Sequence, residues 1–278
     1  MTIHAACLAI GSELTAGRVV DTNSSEVSRQ LAALGFDCRL HISCPDRRED
    51  IVAGLEQAAS LAPLVIVTGG LGPTADDITR DAIATWLGEG LRHEESALER
   101  IRSIYKARDR EMPRSNLRQA QFPESAEVLA NDFGTAPGFA VERSGVLVIS
   151  TPGVPRELRG MWGAVIEDRI RRFLRERGTP APSIASRHLR CFGVAESELD
   201  LVLEDLAAPG LEIAFAVKES EGTVKLSFLA TNPEREAAES LAESAWNEAQ
   251  ARLGGRVCGL GEESLAGRVV ALLEKREL

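Results

Sequence analysis

Short apolar runs recur along the first 150 residues, each followed by a stretch of helical periodicity, and this alternation restricts the fold more than any other feature. Residues 3–10 are apolar and stop at Gly11. From Asn23 onward, Val27, Leu31 and Leu34 share one helical face, which Gly35 ends. Residues 36–43 read as a second strand. Residues 47–60 read as a helix with Ile51, Leu55 and Ala58 in phase, and 64–68 as a buried third strand. The spacing of Ile78, Ala82, Trp86 and Leu87 predicts a helix over 76–87. Such a βαβαβα order predicts an α/β fold whose mostly parallel sheet carries helices on both faces, three layers in all. An excursion helix over 94–110, a further turn or two over 115–121, short strands at 138–142 and 146–150, and one long helix over 155–177 complete the domain.

At 278 residues the chain has room for a second domain. The segment Gly178-Thr179-Pro180-Ala181-Pro182 is a linker by composition. Beyond it, a strand (184–192), a helix (196–206), a hairpin (211–217 and 223–230) and a long helix (233–253) give the order βαββα, a small α+β domain. The boundaries are thus 1–177, 178–258, and a terminal segment 259–278. Within the last, residues 262–278 form an amphipathic helix (Leu265, Val269, Leu272, Leu273) with nothing after it to bury its face. That unpaired face makes a homodimer the expected assembly.

Charge and cysteine content narrow the function classes. Net charge is −10, so nucleic acid is not an expected partner, and free phosphates are repelled unless backbone donors or a metal offset the field. No apolar run approaches a bilayer span, and no basic-then-apolar leader opens the chain, so no membrane role is expected. The cysteines Cys7, Cys38, Cys44, Cys191 and Cys258 are scattered and the four histidines dispersed. Neither a disulfide framework nor a zinc site is suggested, and a reducing cytoplasm fits best.

In parallel sheets ligands sit at the carboxyl ends of the strands. After the first strand come Gly11, Ser12 and Glu13, then Thr22, Asn23 and Ser24. After the third comes Thr68-Gly69-Gly70-Leu71-Gly72-Pro73-Thr74-Ala75-Asp76-Asp77, and after the strand near Ser150 come Pro152 and Gly153. Glycines free the backbone to turn its N–H groups toward an anion. Two adjacent carboxylates beside such a cradle repel that anion unless a divalent cation lies between. Plainer readings stand beside these: Thr74 to Asp77 as a capping box, Glu13 as a solvated loop residue, Asn23 to Ser25 as an N-cap. No P-loop, H-E-x-x-H or G-x-S-x-G motif is present.

The runs Ala9-Ile10-Gly11-Ser12-Glu13-Leu14, Asp21-Thr22-Asn23-Ser24 and 68–77 resemble the CinA family, the competence/damage-inducible protein A group. So do Gly134-Thr135-Ala136-Pro137-Gly138-Phe139, Pro152-Gly153-Val154-Pro155-Arg156-Glu157-Leu158 and Phe192-Gly193-Val194-Ala195-Glu196-Ser197, with Val154 and Leu158 standing where Pro and Met are commoner. The resemblance implies a molybdopterin-binding-like first domain, as in the MogA/MoaB/MoeA group, and a KH-like second one. The G-x-x-G clamp is missing from the expected turn of the latter. It also implies metal-dependent hydrolysis of ADP-ribose or a related dinucleotide to AMP and a sugar phosphate. Under that reading Gly69, Gly70, Gly72 and Thr74 bind the pyrophosphate. Asp76 and Asp77, helped by Glu13, hold a divalent metal ion of unspecified identity and are the catalytic residues. Gly11, Ser12, Thr22, Asn23, Ser24, Thr135 and Gly153 complete substrate binding. Two rivals stay open: a pterin-binding or nucleotidyl-transfer protein, and a non-catalytic nucleotide sensor or assembly module. Family members usually continue into a nicotinamide mononucleotide deamidase domain opened by an A-E-S-C-T-G-G segment. The chain stops short of such a segment, so no deamidase chemistry is expected and the terminal helix reads as a remnant of the link.

Overall fold

The computed structural model describes residues 3–178, 183–261 and 265–275. Most of the compositional linker and both ends of the expected terminal helix lie outside them. The chain divides into two compact units.

The first unit runs β1 (Ile3–Ile10), α1 (Ser12–Thr15), α2 (Thr22–Ala33), β2 (Phe36–Cys44), α3 (Arg48–Leu61), β3 (Leu64–Thr68), α4 (Thr79–Leu87), β4 (Leu91–His93) and α5 (Glu95–Ala107). It continues with a 3-10 stretch at Arg114–Ala120, then β5 (Gln121–Pro123), β6 (Glu127–Leu129), β7 (Gly138–Arg143), β8 (Val146–Thr151), α6 (Pro155–Met161) and α7 (Glu167–Glu176). The main sheet has the order β2-β1-β3-β8-β7-β6. Its first four strands are parallel, and β7 and β6 are antiparallel. β3 is buried along its whole length, which is why it reads as an unbroken apolar run rather than an alternating one. One face packs Leu8, Val65 and Val67 against Ile51, Leu55, Ile83 and Trp86 of α3 and α4.

Two expectations for this unit are corrected. The helix expected from residue 76 begins at Thr79, because Asp77 spends its carboxylate on the preceding loop and Thr79 N–H bonds Gly70 O. The single helix expected over 155–177 is two, joined by a π turn at Trp162–Ile166. Gly160 and Gly163, poor helix formers, lie at this junction.

The second unit runs β9 (Ser183–Phe192), α8 (Glu196–Leu203), β10 (Leu211–Lys218), β11 (Thr223–Asn232), α9 (Arg235–Leu253), β12 (Val257–Leu260) and α10 (Leu265–Lys275). Its sheet, β10-β11-β9-β12, is wholly antiparallel. Leu189, Leu226 and Phe228 pack with Leu199 and Leu203 of α8 and with Ala245 and Ala249 of α9. The four-residue β12 was not expected from the sequence. Val269, Val270 and Leu273 of α10 are exposed. Among the described residues no helix is long and apolar enough to cross a membrane.

Candidate functional site

β1, β3 and β8 are parallel neighbours, so their carboxyl ends meet at one edge of the sheet. The loops that follow them touch. Gly69 donates its N–H to Thr151 O at 3.0 Å, and a Cβ on Gly69 would sit 2.2 Å from Ile10 O. Gly69 and Gly70 have φ of +100° and +64°, and the Thr79 hydroxyl fills the space beside Gly70 while bonding Gly69 O at 2.8 Å. A cleft of about 540 Å³ opens there.

Ten expected residues line this cleft: Gly11, Glu13, Gly69, Gly70, Gly72, Thr74, Asp76, Asp77, Thr135 and Gly153. Thr22 and Asn23 line an adjoining hollow of about 110 Å³ that shares Ile10, Glu13 and Gly153 with it. Asn23 is buried, donates to Gly153 O at 2.8 Å, and leaves its Oδ1 without a partner among the described residues. Ser12 and Ser24 line neither space. Ser12 is held by Asp46, which accepts from its N–H at 2.7 Å and its hydroxyl at 2.9 Å. Ser24 is buried against Asp21, which accepts from its N–H at 2.9 Å.

The glycine loop is not an open row of donors. Asp77 accepts the N–H groups of Gly72 and Thr74, each at 2.8 Å, and so occupies part of the cradle itself. The Thr74 hydroxyl lies 2.5 Å from Asp77 Oδ2 and also against Asp76 Oδ1. A hydroxyl has one proton to donate, so one of these two oxygen–oxygen approaches has none to share. The hydrogen bond from Thr74, its own backbone N–H and the charge of Arg118 hold the exposed Asp76 carboxyl below the usual range. Glu13 faces the same cleft but does not join Asp76 and Asp77: among the described residues no three carboxylates bring ligand atoms within 4.8 Å of one another.

Several contributors escaped the sequence reading. Asp46 and Glu157 line the cleft, and with Glu13, Asp76 and Asp77 they make five carboxylates, without a lysine, arginine or histidine among the described lining residues. Asp46 follows the parallel strand β2, so the strand-end rule that found the other loops applies to it as well. Glu157 accepts from Asn131 Nδ2 at 2.7 Å and packs over Gly134, which ties α6 to the loop carrying Thr135. Gln119 comes from the 3-10 stretch, whose sequence carries no periodic signal. Behind the glycine loop, buried Arg80 donates to Leu71 O at 2.9 Å and stacks over Phe122. Burial draws its pKa down to about 10, so it stays charged at neutral pH. Arg118 binds Thr74 O at 2.5 Å from the other side. The expectation that sulfur and nitrogen donors stay dispersed is also corrected: Cys7, Cys38 and His41 cluster on β1 and β2.

Residues 6–172 match the family model described as a probable molybdopterin binding domain, and residues 186–259 that described as the damage-inducible protein CinA KH domain. A CinA-like protein of Thermomicrobium roseum is 38% identical over 271 residues, covering 98% of this chain and 65% of its own length. A putative competence-damage inducible protein of Bacillus anthracis is 34% identical over 276 residues, 99% of this chain and 66% of its own. The chain therefore spans about two thirds of the length of these relatives. Among solved structures, CinA of Thermoplasma acidophilum, whose function is given as unknown, superposes with a TM-score of 0.56 at 32% identity, over 59% of this chain and 96% of that one.

Proposed function

We propose, because this chain belongs to the CinA family, that its cleft is the site of a metal-dependent pyrophosphatase that cleaves ADP-ribose or a related dinucleotide to AMP and a sugar phosphate. One observation carries this reading: five carboxylates share a cleft with a glycine-rich loop, and among the described residues no cationic side chain lines it. An anionic substrate enters such a space only together with cations.

The donor set fits a hard divalent ion. Asp76 and Asp77 converge on one hydroxyl that has too few protons for both. A small oxygen-seeking ion is commonly held by one or two carboxylates and by substrate phosphates. Bound there, the ion would neutralise phosphate charge and activate a water for in-line attack. Asp76, held ionised, is the freer ligand; Asp77 keeps Gly72 and Thr74 in place while presenting its remaining lone pairs. Arg80 sets a buried positive charge behind the loop without entering the cleft. Thr135, held near Gln119, and Gly153, held by Asn23, bound the far side and fix where a sugar can lie.

Chromatography of ADP-ribose incubated with several divalent ions tests this. Wild type releases AMP, and Asp76→Ala loses about a hundredfold or more in rate. Equal turnover by both proteins removes the metal assignment. A pterin that raises the melting temperature where ADP-ribose does not favours the pterin-binding reading, which the description of the matched family model supports.

A further inference from the structure

Away from the cleft, β1 and β2 carry three donors that the proposed reaction does not use. In a regular strand Cys38 and His41, three residues apart, face opposite sides. Here the register between β1 and β2 slips at one point: Ala5 pairs with Cys38, Ala6 with Leu40 and Cys7 with His41. Arg39 is the extra residue of this bulge, and it returns His41 to the side of Cys38, the side on which Cys7 also lies.

We propose that Cys7, Cys38 and His41 form a zinc(II) site, with the fourth position open to water. Their ligand atoms all lie within 4.8 Å of one another, and among the described residues no other group of three such side chains does so. The two Sγ atoms are 3.6 Å apart. Two thiolates on one tetrahedral zinc, each bonded at about 2.3 Å, stand about 3.8 Å apart, whereas a disulfide needs about 2.05 Å. Cys7 is buried, Cys38 is half-buried and His41 is exposed, so the site has a closed floor and a solvent-facing mouth. Ser28 of α2 lies 2.6 Å from His41 Nε2 and 3.9 Å from Cys7 Sγ, so its hydroxyl borders the cluster and holds the imidazole in place. Two thiolates and a neutral imidazole balance the charge of Zn²⁺, so the occupied site carries no net charge into the protein. Without metal the thiols share protons unequally. The Cys7 hydrogen bond draws the Cys38 thiol below its ordinary range, while Cys7 is pushed up by the same bond and by burial. The sequence hid this site because Cys7 lies far from the Cys38-x-x-His41 pair, whose two members share a face only through the bulge.

Cobalt(II) titration of the full chain, stripped of metal and kept reduced, tests the assignment. Wild type takes up about one cobalt per chain with intense thiolate-to-metal absorption and tetrahedral bands, and zinc displaces it. Cys38→Ser loses the thiolate absorption in large part, and His41→Ala, which removes a ligand, weakens binding by at least the roughly tenfold factor that loss of a supporting residue costs. Both positions reach solvent, and circular dichroism reports that the variants stay folded. Cys258→Ser, in the second unit, leaves the titration unchanged. Three results overturn the proposal: cobalt binding without thiolate absorption, an unchanged titration in Cys38→Ser, or a Cys7–Cys38 disulfide that takes up no cobalt once reduced.

Discussion

Asp76 and Asp77 are adjacent, alike in chemistry, and differently employed. Asp77 satisfies two backbone N–H groups of the glycine loop; Asp76 meets the Thr74 hydroxyl and its own backbone N–H and is exposed. Removing an acceptor that serves two loop amides costs about 1–3 kcal/mol. In urea denaturation Asp77→Ala is therefore expected to unfold at a clearly lower midpoint than wild type, and Asp76→Ala at a midpoint between the two. Equal shifts would show that the loop does not depend on Asp77. The depressed Asp76 carboxyl also sets a pH dependence. A folded pKa below the ordinary value of about 3.9 means that the ionised form is favoured by folding. Its contribution is complete above that value and is lost as pH falls through the lower folded one. Metal affinity at the cleft, followed by calorimetry, should accordingly stay flat from about pH 8 to pH 5 and fall only in stronger acid.

At the scale of elements, the three strand ends leave no spare volume where they meet. Gly69→Ala forces a side chain into positive φ and against Ile10 O, with no flexible group to yield. A loss of about 3 kcal/mol or more is expected, measured by thermal unfolding. Gly17→Ala is the control: its φ is also positive, but nothing lies within 4 Å of the added carbon, so the loss should be smaller. The same contrast explains what could be read from the sequence. β1, β3 and β8 were legible because buried parallel strands are continuous apolar runs, and their order fixed which loops converge. The three-residue β6 and four-residue β12 were not, since so few residues show no period. The start of α4 was misplaced because an aspartate that looks like a first-turn residue binds backwards into its own loop. Gln119, Arg80 and Arg118 reach the site or its back wall through tertiary packing, which leaves no local mark.

For the whole molecule, charge is the governing quantity. A net charge of −10 and a carboxylate-lined cleft both oppose a dianionic ligand in the absence of a divalent ion. Raising ionic strength from 0.01 M to 0.15 M shortens the screening length from about 30 Å to about 8 Å. Metal-free binding of ADP-ribose should then strengthen with salt, the reverse of what a basic phosphate site gives. Calorimetry at several salt concentrations checks this, and weakening with salt would point to an unrecognised cationic subsite. The close meeting of the three strand-end loops has one more consequence. Because Gly69 rests on Ile10 and Thr151 at once, a change tolerated in one loop depends on what occupies the other two. Attempts to evolve a new specificity by varying one loop at a time would meet strong epistasis, and libraries that diversify all three together should reach functional variants that stepwise ones miss.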